Sequence, residues 1–141
     1  MTTAEDLLRK RLKTNNYSVT DTRLNVFKAL ENSEPQTMDQ LIQKVSAVAN
    51  RASVYRVIDL FEKLGVVQRI QIGWKYKLEL SNEFQEHHHH LTCMNCGKIT
   101  SFREPENLNY LLGKIAENEN FLMQSHQLEL QGLCRNCAPK T

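Results

Sequence analysis

Two Cys-x-x-Cys pairs, Cys93/Cys96 and Cys134/Cys137, constrain this 141-residue chain more than any other feature. Two residues between the sulfurs of a pair let both reach one ion, and two pairs complete a tetrahedral set of four thiolates. The pairs are separated by 37 residues, so secondary structure must fit inside the loop they close. A site closed by four sulfurs leaves no position open for a substrate, which points to a structural zinc ion. Disulfides and a redox dithiol are the other uses of paired cysteines. The N-terminus, Met1 to Asp6, lacks the charged-then-apolar pattern of a signal peptide. No apolar run approaches the length of about 18 residues that spans a bilayer. The expectation is a cytoplasmic protein without a membrane segment, where paired cysteines favour metal over disulfides.

Histidine follows the same distribution. All five histidines and all four cysteines lie between His87 and Cys137. Four of the histidines are consecutive, His87 to His90. Along a strand successive side chains point to opposite faces, so His87 and His89 share one face and His88 and His90 the other. The tetrad could therefore serve two metal sites back to back. The remaining imidazole is His126, and the nearest candidate oxygen ligands are Glu79, Glu104 and Glu106. Such donors suit zinc, iron(II), manganese or nickel. A polar surface strand with incidental histidines is the plainer alternative.

The first half reads differently. Residues 1–80 carry 13 basic side chains against 9 acidic ones, whereas residues 81–141 carry 5 against 7. A basic half suits a polyanionic partner, although random surface variation produces similar differences. Leu7, Leu8 and Leu12 predict a helix over 5–15. Thr20 or Asp21 can cap a second, with Leu24, Val26, Phe27 and Leu30 as its stripe. Thr37 can cap a third, and a fourth starts near Asn50 to Ser53 and ends at Leu64. Its apolar face is Val54, Val57, Ile58, Phe61 and Leu64, and Gly65 suits the position just beyond it. The period then changes to two: Trp74, Tyr76, Leu78 and Leu80 alternate with charged residues, and Gly73 divides two extended runs into a hairpin. Short helices followed by a hairpin are the order of a winged helix-turn-helix, in which the helix before the hairpin enters the DNA major groove. Its outward residues would be Arg51, Ser53, Tyr55, Arg56 and Asp59, types that grip phosphate or read base edges. An ordinary helical bundle with a solvated face fits the same pattern.

The expected organisation is a DNA-binding domain over 1–80, a polar hinge over 81–86 and a metal-binding domain over 87–141. In the last, a strand runs through the histidines, and a turn at Asn95–Lys98 leads to a strand at Ile99–Phe102. A helix over Glu106–Asn118 bears Leu108, Leu111, Leu112 and Ile115 on one face, and a strand covers Ser125–Gln131. The fold class is α+β: an N-terminal winged helix-turn-helix plus a small C-terminal α/β domain with a four-cysteine zinc site.

The run His87–His90-Leu91-Thr92-Cys93-Met94-Asn95-Cys96-Gly97-Lys98 resembles the signature of the ferric uptake regulator family. Arg23, Ser53-Val54-Tyr55-Arg56, His126 and Gly132-x-Cys134-x-x-Cys137 match its other landmarks. The resemblance covers almost the whole chain. It implies a homodimer, joined through the C-terminal domain, that binds palindromic double-stranded DNA operators when loaded with a divalent metal and represses uptake genes. It implies structural Zn2+ on Cys93, Cys96, Cys134 and Cys137. It implies a regulatory Zn2+, Fe2+ or Mn2+ on Glu79, His88 and His90. A further site would use His87, His89 and His126 with an acidic residue such as Glu106. DNA contacts would fall on Arg23, Arg51, Ser53, Tyr55 and Arg56. The family often adds a histidine just before the third helix; here that stretch is Glu34-Pro35-Gln36-Thr37. No fifth cysteine is present for the hinge site of zinc-sensing members.

Three other functions compete. A zinc hydrolase would need an open metal site, but no HExxH motif or nucleophile–base pair is present. A DNA-binding protein whose only metal is the cysteine-bound zinc is compatible with the missing hinge histidine. A peroxide-sensing member, oxidised at a ligand histidine, would share every motif named above.

Overall fold

The computed structural model describes residues 1–140 and divides the chain into two compact units, Met1–Glu86 and His87–Thr141. Among the described residues no helix is long and apolar enough to cross a membrane.

The first unit is built from α1 (Ala4–Thr14), α2 (Asp21–Leu30), α3 (Met38–Lys44), α4 (Arg51–Lys63), β1 (Val67–Ile72) and β2 (Lys75–Leu80). Each helix begins where a short polar side chain can accept from an otherwise unpaired amide. Thr3 and Thr37 form reciprocal capping boxes with Asp6 and Gln40, Thr20 accepts from the Arg23 amide, and Asn50 accepts from the Ser53 amide. α4 stops at Gly65, whose φ of +71° lets its amide reach the Glu62 carbonyl while Val66 bonds back to Phe61. Leu8, Leu12, Val26, Phe27, Leu30, Leu41, Val54, Ile58, Phe61, Leu78 and Leu80 form one buried core.

β1 and β2 pair antiparallel, with Val67 opposite Leu80 and Ile72 opposite Lys75. Gly73, at φ +61°, opens the two-residue turn. Burial does not follow the alternation to its end. Leu78 and Leu80 are fully buried at the root of the hairpin, but Trp74 at its tip is 90% exposed, because the core does not extend that far. The root is pinned from outside the hairpin as well. The Gln36 amide donates to the Leu78 carbonyl, the Leu78 amide donates to the Gln36 carbonyl, and the Gln36 side chain donates to Ala29 and Ser33. Most of the polar segment over 81–86 also belongs to this unit. Phe84 is 4% exposed with its ring edge-on to Phe27, Arg11 lies over its face and pairs with Glu83, and the Ser81 hydroxyl donates to Gly65.

The second unit contains β3 (His88–Cys93), β4 (Ile99–Arg103), α5 (Glu106–Asn118) and β5 (Glu129–Gly132). β3 is the central strand, antiparallel to β4 and parallel to β5. The last strand is shorter than the sequence pattern predicts: 125–128 is not strand, because only Glu129 to Gly132 find partners on β3 and the chain before them turns toward the histidines. The apolar stripe of α5 lies uncovered, with Leu111 and Ile115 more than half exposed and no residue of the helix buried. Among the described residues, the buried apolar side chains of this unit are Cys93 and Ile99.

Phe84 closes the core at its last contributing residue. Replacing a buried Phe by Ala removes about 3–5 kcal/mol. Phe84→Ala in the full chain is expected to lower the urea-unfolding free energy of the helical signal by about 3 kcal/mol. A loss below about 1 kcal/mol would show that the segment is only loosely attached.

Candidate metal centres and nucleic-acid face

β3 ends at Cys93, and the turn that follows brings Cys96 back beside it. Gly97, at φ +77°, donates its amide to the Cys93 carbonyl, and the Cys93 amide donates to Lys98. Parallel pairing of β5 with β3 sets Gly132 opposite Cys93, so the chain leaves the sheet with Cys134 and Cys137 next to the first knuckle. The Cys137 and Ala138 amides both close on the Cys134 carbonyl. All four sulfurs lie within 4.8 Å of one another, and Cys96 and Cys134 are 3.7 Å apart. That separation is far beyond a disulfide of about 2.05 Å. It matches the spacing of about 3.8 Å that a tetrahedral ion with bonds of about 2.3 Å imposes on its sulfurs.

The electrostatics of the cluster favour a cation. Backbone amides of Cys96 and Cys134 lower the Cys93 thiol to about 6, and those of Asn136 and Cys137 lower Cys134. At Cys137 the Asn95 side chain favours the thiolate, but the neighbouring thiols outweigh it and push the pKa up to about 11. Four adjacent sulfurs cannot all become anionic without a positive charge among them.

On β3 the imidazoles divide by alternation as the sequence predicts. His88 and His90 bring their Nε2 atoms to 3.1 Å. On the other face His87, His89 and His126 converge with Glu104, every ligand atom within 4.8 Å of the others. The His87 and His126 Nε2 atoms are 3.4 Å apart, the spacing that metal–nitrogen bonds of about 2.1 Å give in a tetrahedron. His89 Nε2 and Glu104 Oε1 are buried and make no hydrogen bond, although His126 Nε2 lies close to the same oxygen. Atoms that approach without hydrogen-bond alignment and face a common point are disposed as ligands. Burial opposes the Glu104 charge, but the imidazoles of His89, His126 and His87 outweigh it and hold the carboxyl below its usual range. His87 is kept toward its neutral, ligating form by burial and by the adjacent His89.

Glu106 does not join this group. It is the first residue of α5 and is exposed, whereas Glu104 occupies the position expected of it. The register explains why Glu104 lies nearer the imidazoles. His88 lies opposite Arg103 and His89 opposite Phe102, so continuing the ladder by one residue sets Glu104 opposite His87 on the face of His89. The period of two from Phe102 to Glu104 was a usable signal. Asn109 of α5, which no sequence pattern singled out, donates to the other Glu104 oxygen and orients the carboxylate. Glu79 lies on β2, where Gln68 donates to its carboxylate at 2.7 Å.

α4 exposes Arg51, Ala52, Tyr55, Arg56 and Asp59, while Ser53 is half-buried in its first turn. Arg51 pairs with Asp39 at 3.2 Å and lies over the Tyr55 ring, and Arg56 bends back to the Ala52 carbonyl. Arg23 stands at the start of α2, donating to the Ser18 carbonyl and stacked on Tyr17. Its guanidinium thus also ties down the connection between α1 and α2.

Known proteins resemble this chain in sequence and fold. Residues 14–131 match the model of the ferric uptake regulator family. The ferric uptake regulation protein of Bacillus subtilis is 31% identical over 142 residues, 96% of this chain and 95% of the relative. That of Neisseria meningitidis is 30% identical over 137 residues, 92% of each. Among solved structures, the Helicobacter pylori ferric uptake regulator matches the fold with a TM-score of 0.79 at 22% identity, covering 95% of this chain and 91% of that one. The Vibrio cholerae ferric uptake regulator matches with a TM-score of 0.70 at 29% identity, covering 89% and 98%. The family match over residues 14–131 and the full-length similarity to these regulators show that the chain belongs to the ferric uptake regulator family.

Proposed function

We propose that this chain is a homodimeric repressor of metal-uptake genes that binds a double-stranded operator when a divalent metal fills its histidine sites. The observation that carries this reading is the run from His87 through the strand β3, which presents imidazole pairs on opposite faces and ends in the four-thiol cluster. Cys93, Cys96, Cys134 and Cys137 would hold a structural Zn2+. His87, His89, Glu104 and His126 would hold one further divalent ion. His88 and His90, joined by Glu79 as the family resemblance implies, would hold the regulatory ion, which supplies positive charge and directional bonds to its ligands. Zinc, iron(II) and manganese all suit these donors.

Glu79 belongs to the first unit and His88 and His90 to the second. Ligation of one ion by all three would couple metal loading to the orientation of α4, and DNA and metal would then strengthen each other reciprocally. Arg51, Ser53, Tyr55, Arg56 and Arg23 would make the DNA contacts. Dimerisation is supported by the open edge of β5 and the exposed Leu111, Ile115, Leu122, Leu130 and Leu133, an apolar surface suited to a second copy of the chain. A second reading, DNA binding without metal gating, is favoured by the stretch before α3. It supplies no imidazole, and the Gln36 side chain is already committed to Ala29 and Ser33.

Fluorescence anisotropy with the DNA upstream of the protein's own gene distinguishes the two readings. The protein would keep its cysteine-bound zinc, and zinc, manganese and anaerobic iron(II) would be titrated in turn. One metal is expected to tighten binding more than about fivefold, and His90→Ala to remove that gain. Equal affinity without added metal would establish the ungated reading. Arg56→Ala, measured alongside, is expected to weaken binding and reduce the salt slope by about 0.9 for one lost phosphate contact.

The second histidine site is tested separately by chelator competition. Glu104→Ala is expected to weaken metal binding at least about tenfold, as loss of a ligand or its support does, while Glu106→Ala leaves it unchanged. The reverse pattern would return the ligand role to Glu106.

A further inference from the structure

The two cysteine knuckles are not held to the sheet in the same way. The first is tied on three sides. The Cys93 amide donates to Lys98, the Gly97 amide donates to Cys93, and the Met94 amide crosses to the Gly132 carbonyl of β5 at 2.8 Å. The second knuckle lies beyond β5 and is closed by its own turn, with the Cys137 and Ala138 amides both on the Cys134 carbonyl. Of the four sulfurs, that of Cys137 therefore lies farthest along the chain from a strand that could fix it.

The sulfurs also differ in the donors that reach them. A Cys-x-x-Cys turn folds its amides back toward its first sulfur, and the Cys96 amide meets Cys93 Sγ at 3.5 Å. In the second knuckle the Asn136 and Cys137 amides serve Cys134 in the same manner. Cys137, half-buried, takes its hydrogen bond from a side chain instead: Asn95 Nδ2 donates to its Sγ at 3.3 Å. Asn95 stands between the two cysteines of the first knuckle, so this bond runs from one knuckle to the other across 42 residues of sequence. The knuckle that is fastened to the sheet thus holds the outermost sulfur of the one that is not.

We propose that Asn95 is a positioning residue of the zinc centre, whose amide keeps the Cys137 sulfur turned toward the ion and so sets how long the ion stays bound. This inference rests on the reading of the four thiols as a structural zinc site. A zinc-bound thiolate retains negative charge on sulfur, and an N–H donor stabilises that charge more than it stabilises a neutral thiol. Zinc leaves such a site when one sulfur swings away and water or a chelator takes its place. The bond from Asn95 opposes that step at the sulfur least restrained by the backbone. Asparagine suits the task because its short stem carries two uncharged N–H donors. Asn95 is itself exposed, so replacing it removes no buried packing.

The test reads zinc residence directly. Full-length protein, stripped of weakly held ions by mild chelation, is mixed with excess pyridylazoresorcinol, and the rate of zinc transfer is followed by absorbance. Asn95→Ala is expected to release zinc about tenfold faster, the lower end of what loss of a partner to a metal ligand costs. Asn95→Gln, which keeps the amide on a longer stem, should recover most of the difference. Asn136→Ala keeps the backbone amide that serves Cys134 and should change the rate by less than about twofold, as neutral surface substitutions do. With cobalt in place of zinc, the thiolate-to-metal charge-transfer band should move to longer wavelength in Asn95→Ala, because a sulfur that loses its donor holds its lone pairs at higher energy. Equal release from Asn95→Ala and the unsubstituted protein would overturn the inference and leave the four-thiol zinc site standing. Faster release without the band shift, or matched by Asn136→Ala, would overturn it by making Asn95 only a filler of the turn. Purified protein that carries no zinc and takes up no cobalt on its sulfurs would overturn the zinc reading itself, and the inference with it.

Discussion

The second unit has almost no apolar core of its own, and four thiols in it are disposed to take one ion. Its buried apolar side chains among the described residues are Cys93 and Ile99, and α5 contributes none. A chain segment of this size cannot offset its conformational entropy with so small a core. The four thiols lie where that deficit is greatest. An ion held by all four would join the turn after β3 to the segment after β5, and so fasten β5 to β3 across the loop that contains β4 and α5. A dimer partner over the exposed leucines and isoleucine would supply the remaining burial, as obligate interfaces do.

One strand then serves three donor sets. β3 ends in the cysteine knuckle, and the period of two sends His88 and His90 to one side and His89 to the other. Sheet register decides what meets them. The antiparallel ladder with β4 delivers Glu104, and the parallel pairing with β5 brings in the segment that bears His126. These candidate ligands share a strand that an ion on the thiol cluster would anchor, so loss of such an ion would loosen both histidine sets together.

Much of this was legible in the sequence, for local physical reasons. The spacing of the cysteines, the caps at Thr20, Thr37 and Asn50, the stop at Gly65 and the alternation of the histidines each follow from a few adjacent residues. What was not legible depends on contacts distant in sequence. Nothing near Gln36 shows that its backbone pairs with Leu78, and nothing in the polar stretch over 81–86 shows that Phe84 completes the core. The choice between Glu104 and Glu106 turned on the length and register of β4, and Asn109 acquires its role only once α5 is placed. Apolar periodicity runs on to an exposed Trp74 and to an uncovered face of α5. It identifies a face that could be buried, and leaves open whether anything within the same chain covers it.

A thiolate-bound zinc ion would organise the second unit, and the histidine sites would depend on it. Zinc-edge X-ray absorption on the protein as purified, before any chelation, tests it directly. The predicted result is a first shell of four sulfurs at about 2.3 Å from the metal. A shell dominated by nitrogen and oxygen, or sulfurs paired with each other at about 2.05 Å, would contradict it.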